Sequence, residues 1–168
     1  RQIHMRKGIT IAAGLVILVL VNYSIYSRER LMTEGGVVLL QLAPVDPRSL
    51  MQGDYMALRF QAANDLRSRS PDPLPHSGQM VLVLDERRVG SFARIDDGRP
   101  LAANEARMCY RLRNGQIKFA TNAFFFQEGT ANLYEKARYG EFRLGGSGES
   151  ILTGLRDEQL VMLGPQSQ

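Results

Sequence analysis

"ARMCYRLRNGQIKFA", Ala106 to Ala120, reads as two short strands folded about Asn114-Gly115. Both positions of a type I′ loop need a positive φ, and Asn-Gly is a preferred pair for it. A two-residue loop also sets the register. Arg113 then faces Gln116, Leu112 faces Ile117, Arg111 faces Lys118, Tyr110 faces Phe119 and Cys109 faces Ala120. Side chains alternate along a strand, so Leu112, Ile117, Tyr110 and Phe119 share one face, the expected core face. Cys109, Arg111 and Lys118 fall on the other.

The same reading extends in both directions. "VVLLQLAP" (Val37–Pro44) is a continuous apolar run ended by proline, as expected of a buried strand. "DYMALRF" (Asp54–Phe60) alternates, with Met56, Leu58 and Phe60 on one face. "QAANDLRSRS" suits a short helix, and Pro71–Gly78 a proline-rich loop. "QMVLVLDERRVGSFARI" divides into two strands joined at Asp85–Arg88, and Asp96-Asp97-Gly98 suits a turn. Phe124–Phe126 are expected to cap the core and Gln127–Ala137 to form a helix. "RYGEFRL" and "SILTGLRD" are expected to form a last hairpin around "GGSGE". The fold class is therefore mainly β, a β-rich α+β domain built from antiparallel hairpins.

One segment belongs to no such core. Residues 8–27, "GITIAAGLVILVLVNYSIYS", hold 20 residues without a charge. As a helix they are roughly 30 Å long, the thickness of bilayer hydrocarbon. Ile11, Leu15 and Leu18 supply apolar surface, and Tyr23 and Tyr26 stand where interfacial aromatics are expected. No small-residue cleavage site follows, so the segment is expected to remain as a membrane anchor. The resulting organisation is a cytoplasmic segment 1–7, a transmembrane helix 8–27, a tether 28–36, the domain 37–163 and a tail 164–168. Arg1, Arg6 and Lys7 before the span place the N-terminus inside and the domain outside. The tether, nine residues from Arg28 to Gly36, spans at most about 30 Å.

Charge narrows the function classes. Residues 1–30 carry five Lys or Arg and one Glu, which accounts for the whole net charge of +4. The remainder is balanced at 16 of each sign. No basic stripe interleaved with aromatics appears, so no nucleic-acid partner is expected. Cys109 is the single cysteine, which excludes an intrachain disulfide, and His4 and His76 suggest no metal site. Cys109 reads as a small filler or, beside cations, as a redox-sensitive thiol. No cofactor is expected, since "LGGSGES" lacks the Lys-Ser/Thr and following helix of a phosphate loop.

The stretch "PVDPRSLMQGDYMALRF" (Pro44–Phe60) holds the residue types of a catalytic loop. Ser49 is a candidate nucleophile and would draw on Lys118, Lys136 or Asp46. Ser49 to Asp54 resembles the second half of the Ser-Met-x-Pro-Thr-Leu-x-x-Gly-Asp run of type I signal peptidases. In that alignment Val45 stands at the serine position, so the nucleophile is missing. No catalytic residue is therefore assigned, and a hydrolase using Ser49 is the alternative. The structural reading is a stiff corner. Pro44 and Pro47 keep the backbone extended, Asp46 accepts from nearby N–H groups, and Arg48 pairs with Asp46 or Asp54. Gly53 supplies a positive φ, and Tyr55 and Leu58 enter the sheet.

"APVDPRSLMQGDYMALRF", "FFFQEGTANLYEKARYGEFRL" and "LTGLRDEQL" together resemble the GDYXXLXY-domain family, from about Glu29 to Leu163. Gly53-Asp54-Tyr55 and Leu58 match the motif, and Phe60 replaces its final Tyr. The resemblance implies a bacterial protein with one N-terminal anchor in the inner membrane, a periplasmic domain and no assigned reaction. It also implies a polytopic membrane protein as partner. The expected function is an accessory or interaction subunit, with a ligand-binding or sensor module around Phe124–Phe126 as a further alternative.

Overall fold

The structure, a computed structural model, describes residues 2–44, 51–53, 55–70 and 72–164. It divides into two compact units, residues 1–34 and 35–168.

The first unit is α1, Gln2–Glu34, 33 residues and roughly 50 Å long. Among the described residues it is the one helix long and apolar enough to cross a membrane, over Ile11–Glu34. Asn22 does not interrupt it, because its Nδ2 donates to the Leu18 carbonyl one turn back at 2.9 Å. The helix outruns the expected span and takes in most of the expected tether. Thr33 Oγ1 donates back to the Glu29 carbonyl, and Arg30 pairs with Glu34 one turn on at 2.6 Å. Gly35 alone then separates α1 from the first strand.

The second unit is built on a seven-stranded sheet in the order β10-β9-β1-β5-β4-β6-β7. Its strands are β1 Gly36–Gln41, β4 Ser77–Leu84, β5 Val89–Ile95, β6 Glu105–Arg113, β7 Gln116–Lys118, β9 Tyr139–Leu144 and β10 Ser150–Arg156. Every neighbouring pair is antiparallel except β1 and β5, which run parallel with Leu39 opposite Val89. The apolar run of β1 explains its central place. Val38 and Leu40 enter the main core, and Leu39, on the opposite face, is also buried. A strand buried on both faces is the kind that accepts a parallel neighbour.

The β6–β7 hairpin has the expected register, Arg113 to Gln116, Leu112 to Ile117 and Arg111 to Lys118, with φ of 49° at Asn114 and 73° at Gly115. The ladder stops at Lys118. Asn122 receives the Phe119 N–H on Oδ1 and donates through Nδ2 to the Ile117 carbonyl, while Ala120 turns to a φ of 47°. Cys109 therefore does not pair with Ala120 in the ladder. Its N–H donates to the Gly148 carbonyl at 2.8 Å, so the sheet curls until the tip of the β9–β10 hairpin meets β6.

A helix, α2 (Gln61–Arg69), covers the concave side with Ala62 and Leu66. Phe60, 1 % exposed, sits at the centre, with rings at 5.3 Å from Phe142 and 5.9 Å from Phe119. Gly140 is required beneath it, since a Cβ there would stand 2.8 Å from a Phe60 ring carbon. A smaller three-stranded sheet, β2 (Met51–Gln52), β3 (Tyr55–Ala57) and β8 (Ala123–Phe125), adds Met56 and Phe124 to the same core.

The helix expected over Gln127–Ala137 is not formed. Only a 3-10 turn, Ala131–Tyr134, is present. Gly129 adopts a φ of 82°, and Thr130 closes a turn onto the Gln127 carbonyl with both its N–H and its hydroxyl. Tyr134 is then held by Phe124 and Phe126 at ring distances of 5.0 and 5.3 Å, which favours a folded loop over a helix.

Candidate functional site

The small sheet is where the Gly-Asp-Tyr motif takes shape. Met51 pairs with Met56 and Gln52 with Tyr55, so β2 and β3 form a hairpin whose loop opens at Gly53. Gly53, at a φ of 67°, occupies its first position, which glycine adopts without Cβ strain. Beyond the loop the chain alternates. Met56, Leu58 and Phe60 all enter the core, so the apolar half of the motif works in packing. Phe60 stands where the family motif has tyrosine and is fully enclosed.

Tyr55 is directed to the other face. It pairs with Phe125 across β3 and β8, and Ala57 pairs with Ala123. The rings of Tyr55 and Phe125 lie 5.6 Å apart at 40°. Phe125 is 73 % exposed and Tyr55 half-buried. The expectation that Phe124–Phe126 cap the core holds for the outer two residues of the triplet. Phe124 and Phe126 pack on Tyr134, while Phe125 points away with Tyr55. Phe125 was not legible as a site residue, because a run of three phenylalanines gives no sign of which one faces solvent. The outward aromatic pair lies beside two half-buried alanines, Ala57 and Ala123, with Phe125 as its exposed member.

Of the other motif positions, Pro44 is exposed just after β1 and Leu58 is buried. β1 covers roughly 17 Å from Gly36 to Gln41, and Pro44 follows its far end. Asp46, Pro47, Arg48, Ser49 and Asp54 lie outside the described residues. The proposed pairing of Arg48 and the nucleophilic role of Ser49 fall there too.

Polar groups elsewhere are held in structural pairs. Glu141 on β9, 5 % exposed, is the one buried charged residue described. Arg156 of β10 donates to its Oε2 through Nε at 2.6 Å and Nη2 at 2.5 Å, and Thr153 donates to Oε1 at 3.0 Å. Arg156 also donates to the Leu160 carbonyl, which fixes the chain that follows β10. On the convex face, Val81 lies between Arg94 and Arg107 of the flanking strands. Arg94 pairs with Glu105 at 3.2 Å and Arg107 with Asp96 at 2.7 Å. The Arg107 hydrogen bond holds the Asp96 carboxyl below its ordinary value, against a smaller desolvation cost.

The Cys109 thiol is half-buried, 3.5 Å from Gln79 Nε2 and 3.8 Å from the Ser147 carbonyl. Among the described residues no group of three His, Cys, Asp or Glu side chains could hold a metal ion.

Comparison with known proteins adds a family. The family described as GDYXXLXY protein matches residues 17–155, which run from within α1 to near the end of β10. No curated protein and no solved structure matches the chain.

Proposed function

The chain belongs to the GDYXXLXY protein family, and from that premise we propose that it is a membrane-anchored accessory subunit whose domain engages a polytopic membrane protein. The observation that carries the reading is the outward pair of Tyr55, on the hairpin that holds the family motif, and Phe125, on the neighbouring strand β8. Aromatic residues that are exposed in the free protein and buried on binding are typical anchors of protein interfaces. The orientation follows from the cationic start of α1: N-terminus in the cytoplasm of a bacterial inner membrane, domain in the periplasm. The Asp46-Pro47-Arg48 segment precedes the same hairpin in the sequence and, on this reading, serves the same recognition.

The test is co-purification of the full chain from its own membranes in mild detergent, with a photo-crosslinker at Phe125. A polytopic protein is expected to crosslink and co-purify. Phe125→Ala is expected to reduce its recovery by about tenfold or more, a loss in the range of interface hot spots. A chain recovered alone at every salt concentration, with no crosslink, would rule the reading out. Labelling of Ser49 by a serine-directed probe, absent in Ser49→Ala, would instead favour a hydrolase.

A further inference from the structure

The β6–β7 hairpin carries charge in a pattern that the fold does not need. Arg111 and Lys118 are direct cross-strand partners, and Arg113 stands two residues along on the same face. Like charges placed opposite one another destabilise a strand pair. No carboxylate offsets them: among the described residues, none lies within ion-pair distance of Arg111, Arg113 or Lys118. The ion pairs among the described residues of this domain engage Arg87, Arg94, Arg99, Arg107 and Arg156 instead. Arg67, from the last turn of α2, adds a further cation by donating to the Gly115 carbonyl in the hairpin turn at 2.6 Å. Arg69 follows in the same helical turn. Arg111, Arg113, Arg67 and Arg69 are all exposed. Protection of an edge strand is met by a single charge. Three on one face, with two directly opposed, exceed that need.

We propose that this hairpin face docks on anionic phospholipid headgroups. One occupant is favoured by chain connectivity. Gly35 alone joins the domain to α1, the helix long and apolar enough to cross a bilayer. A domain of this length has a diameter of roughly 35 Å, and helical residues 28–34 add roughly 10 Å, so its whole surface stays within roughly 45 Å of any bilayer α1 crosses. Headgroup phosphates are thus the anions always at hand, at the high effective concentration that a tether provides. Guanidinium forks match phosphate oxygens, and each cation near an anionic surface raises the occupancy of the docked state about fivefold. The proposal rests on α1 crossing a bilayer and does not depend on the Tyr55–Phe125 surface.

The test uses the full chain in nanodiscs, carrying Cys109→Ser and a fluorophore on Gln116→Cys, beside the cations on the exposed hairpin. Co-elution with the discs first checks α1 on its own. Quenching by nitroxide-headgroup lipid is then compared in phosphatidylcholine discs and in discs containing phosphatidylglycerol. Stronger quenching in the anionic discs is expected, weakening as salt rises. In Arg111→Gln/Arg113→Gln/Lys118→Gln it is expected to fall to the neutral-disc level, with a melting temperature no lower than the parent's. Equal quenching in both discs, or anionic quenching that survives the triple substitution, overturns the proposal. So does a lower melting temperature in the variant, which would assign the cations to folding. Shielding of the label in neutral discs by a soluble poly-glutamate peptide, as strong as that by anionic lipid, would reassign the surface to an acidic protein segment.

Discussion

Glu141 faces away from the main core, yet Arg156 and Thr153 enclose it. Removing one partner of a buried pair is expensive because the other charge keeps its desolvation and loses its offset. Glu141→Ala is therefore expected to destabilise the domain by about 3 kcal/mol. The double variant Glu141→Ala/Arg156→Ala is expected to lose less than the sum of the two singles. Chemical denaturation of the three variants checks this. A loss near that of an exposed pair, under about 1 kcal/mol, would show that burial adds nothing here. The alternation around Phe142 places Glu141 on the outer face, but sequence alone did not mark it as buried. Its partner lies 15 residues on and meets it only because β10 pairs with β9 around a bulge at Thr153.

At the scale of elements, the convex face of β4, β5 and β6 is tied by charge across strands. Asp96 is held below its ordinary value of 3.8 by Arg107. A carboxyl with a depressed folded value stabilises the protein fully above the unfolded value and loses that contribution as pH falls through the folded one. Stability should therefore decline from about pH 4 downward, and more steeply in the parent than in Asp96→Asn. Melting temperatures measured from neutral pH into that acid window decide it. Parallel profiles for the two proteins would remove Asp96 from the account. The hairpins were the legible elements. Asn114-Gly115 forces its turn and its register follows from loop length, whereas the β2–β3 pairing around Gly53 was not read from the sequence. The helix expected over Gln127–Ala137 failed because Gly129 and the Tyr134 ring cluster outweigh the propensity of that run. Within the stretch 28–36, Arg30–Glu34 and Thr33 hold the chain helical as far as Glu34.

For the molecule as a whole, every buried apolar residue described lies between Val38 and Leu155. The domain from Gly35 onward thus contains its own core, and no described residue of α1 is among the buried ones. Excision of residues 1–34 is expected to leave a soluble, cooperatively melting β-rich domain, read by circular dichroism. A broad, non-cooperative melt would mean that the helix is needed for folding.

Local chemistry determined much of this protein before any tertiary contact was considered. Twenty uncharged residues make a helix long and apolar enough to cross a membrane, alternation makes strands, and the Asn-Gly loop makes a hairpin whose register cannot slip. Tertiary structure alone decided the parallel pairing of β1 with β5, the burial of Glu141 and the choice of Phe125 as the exposed aromatic. Each depends on which strand lies alongside which, and such pairings join residues too far apart in sequence for local pattern to specify.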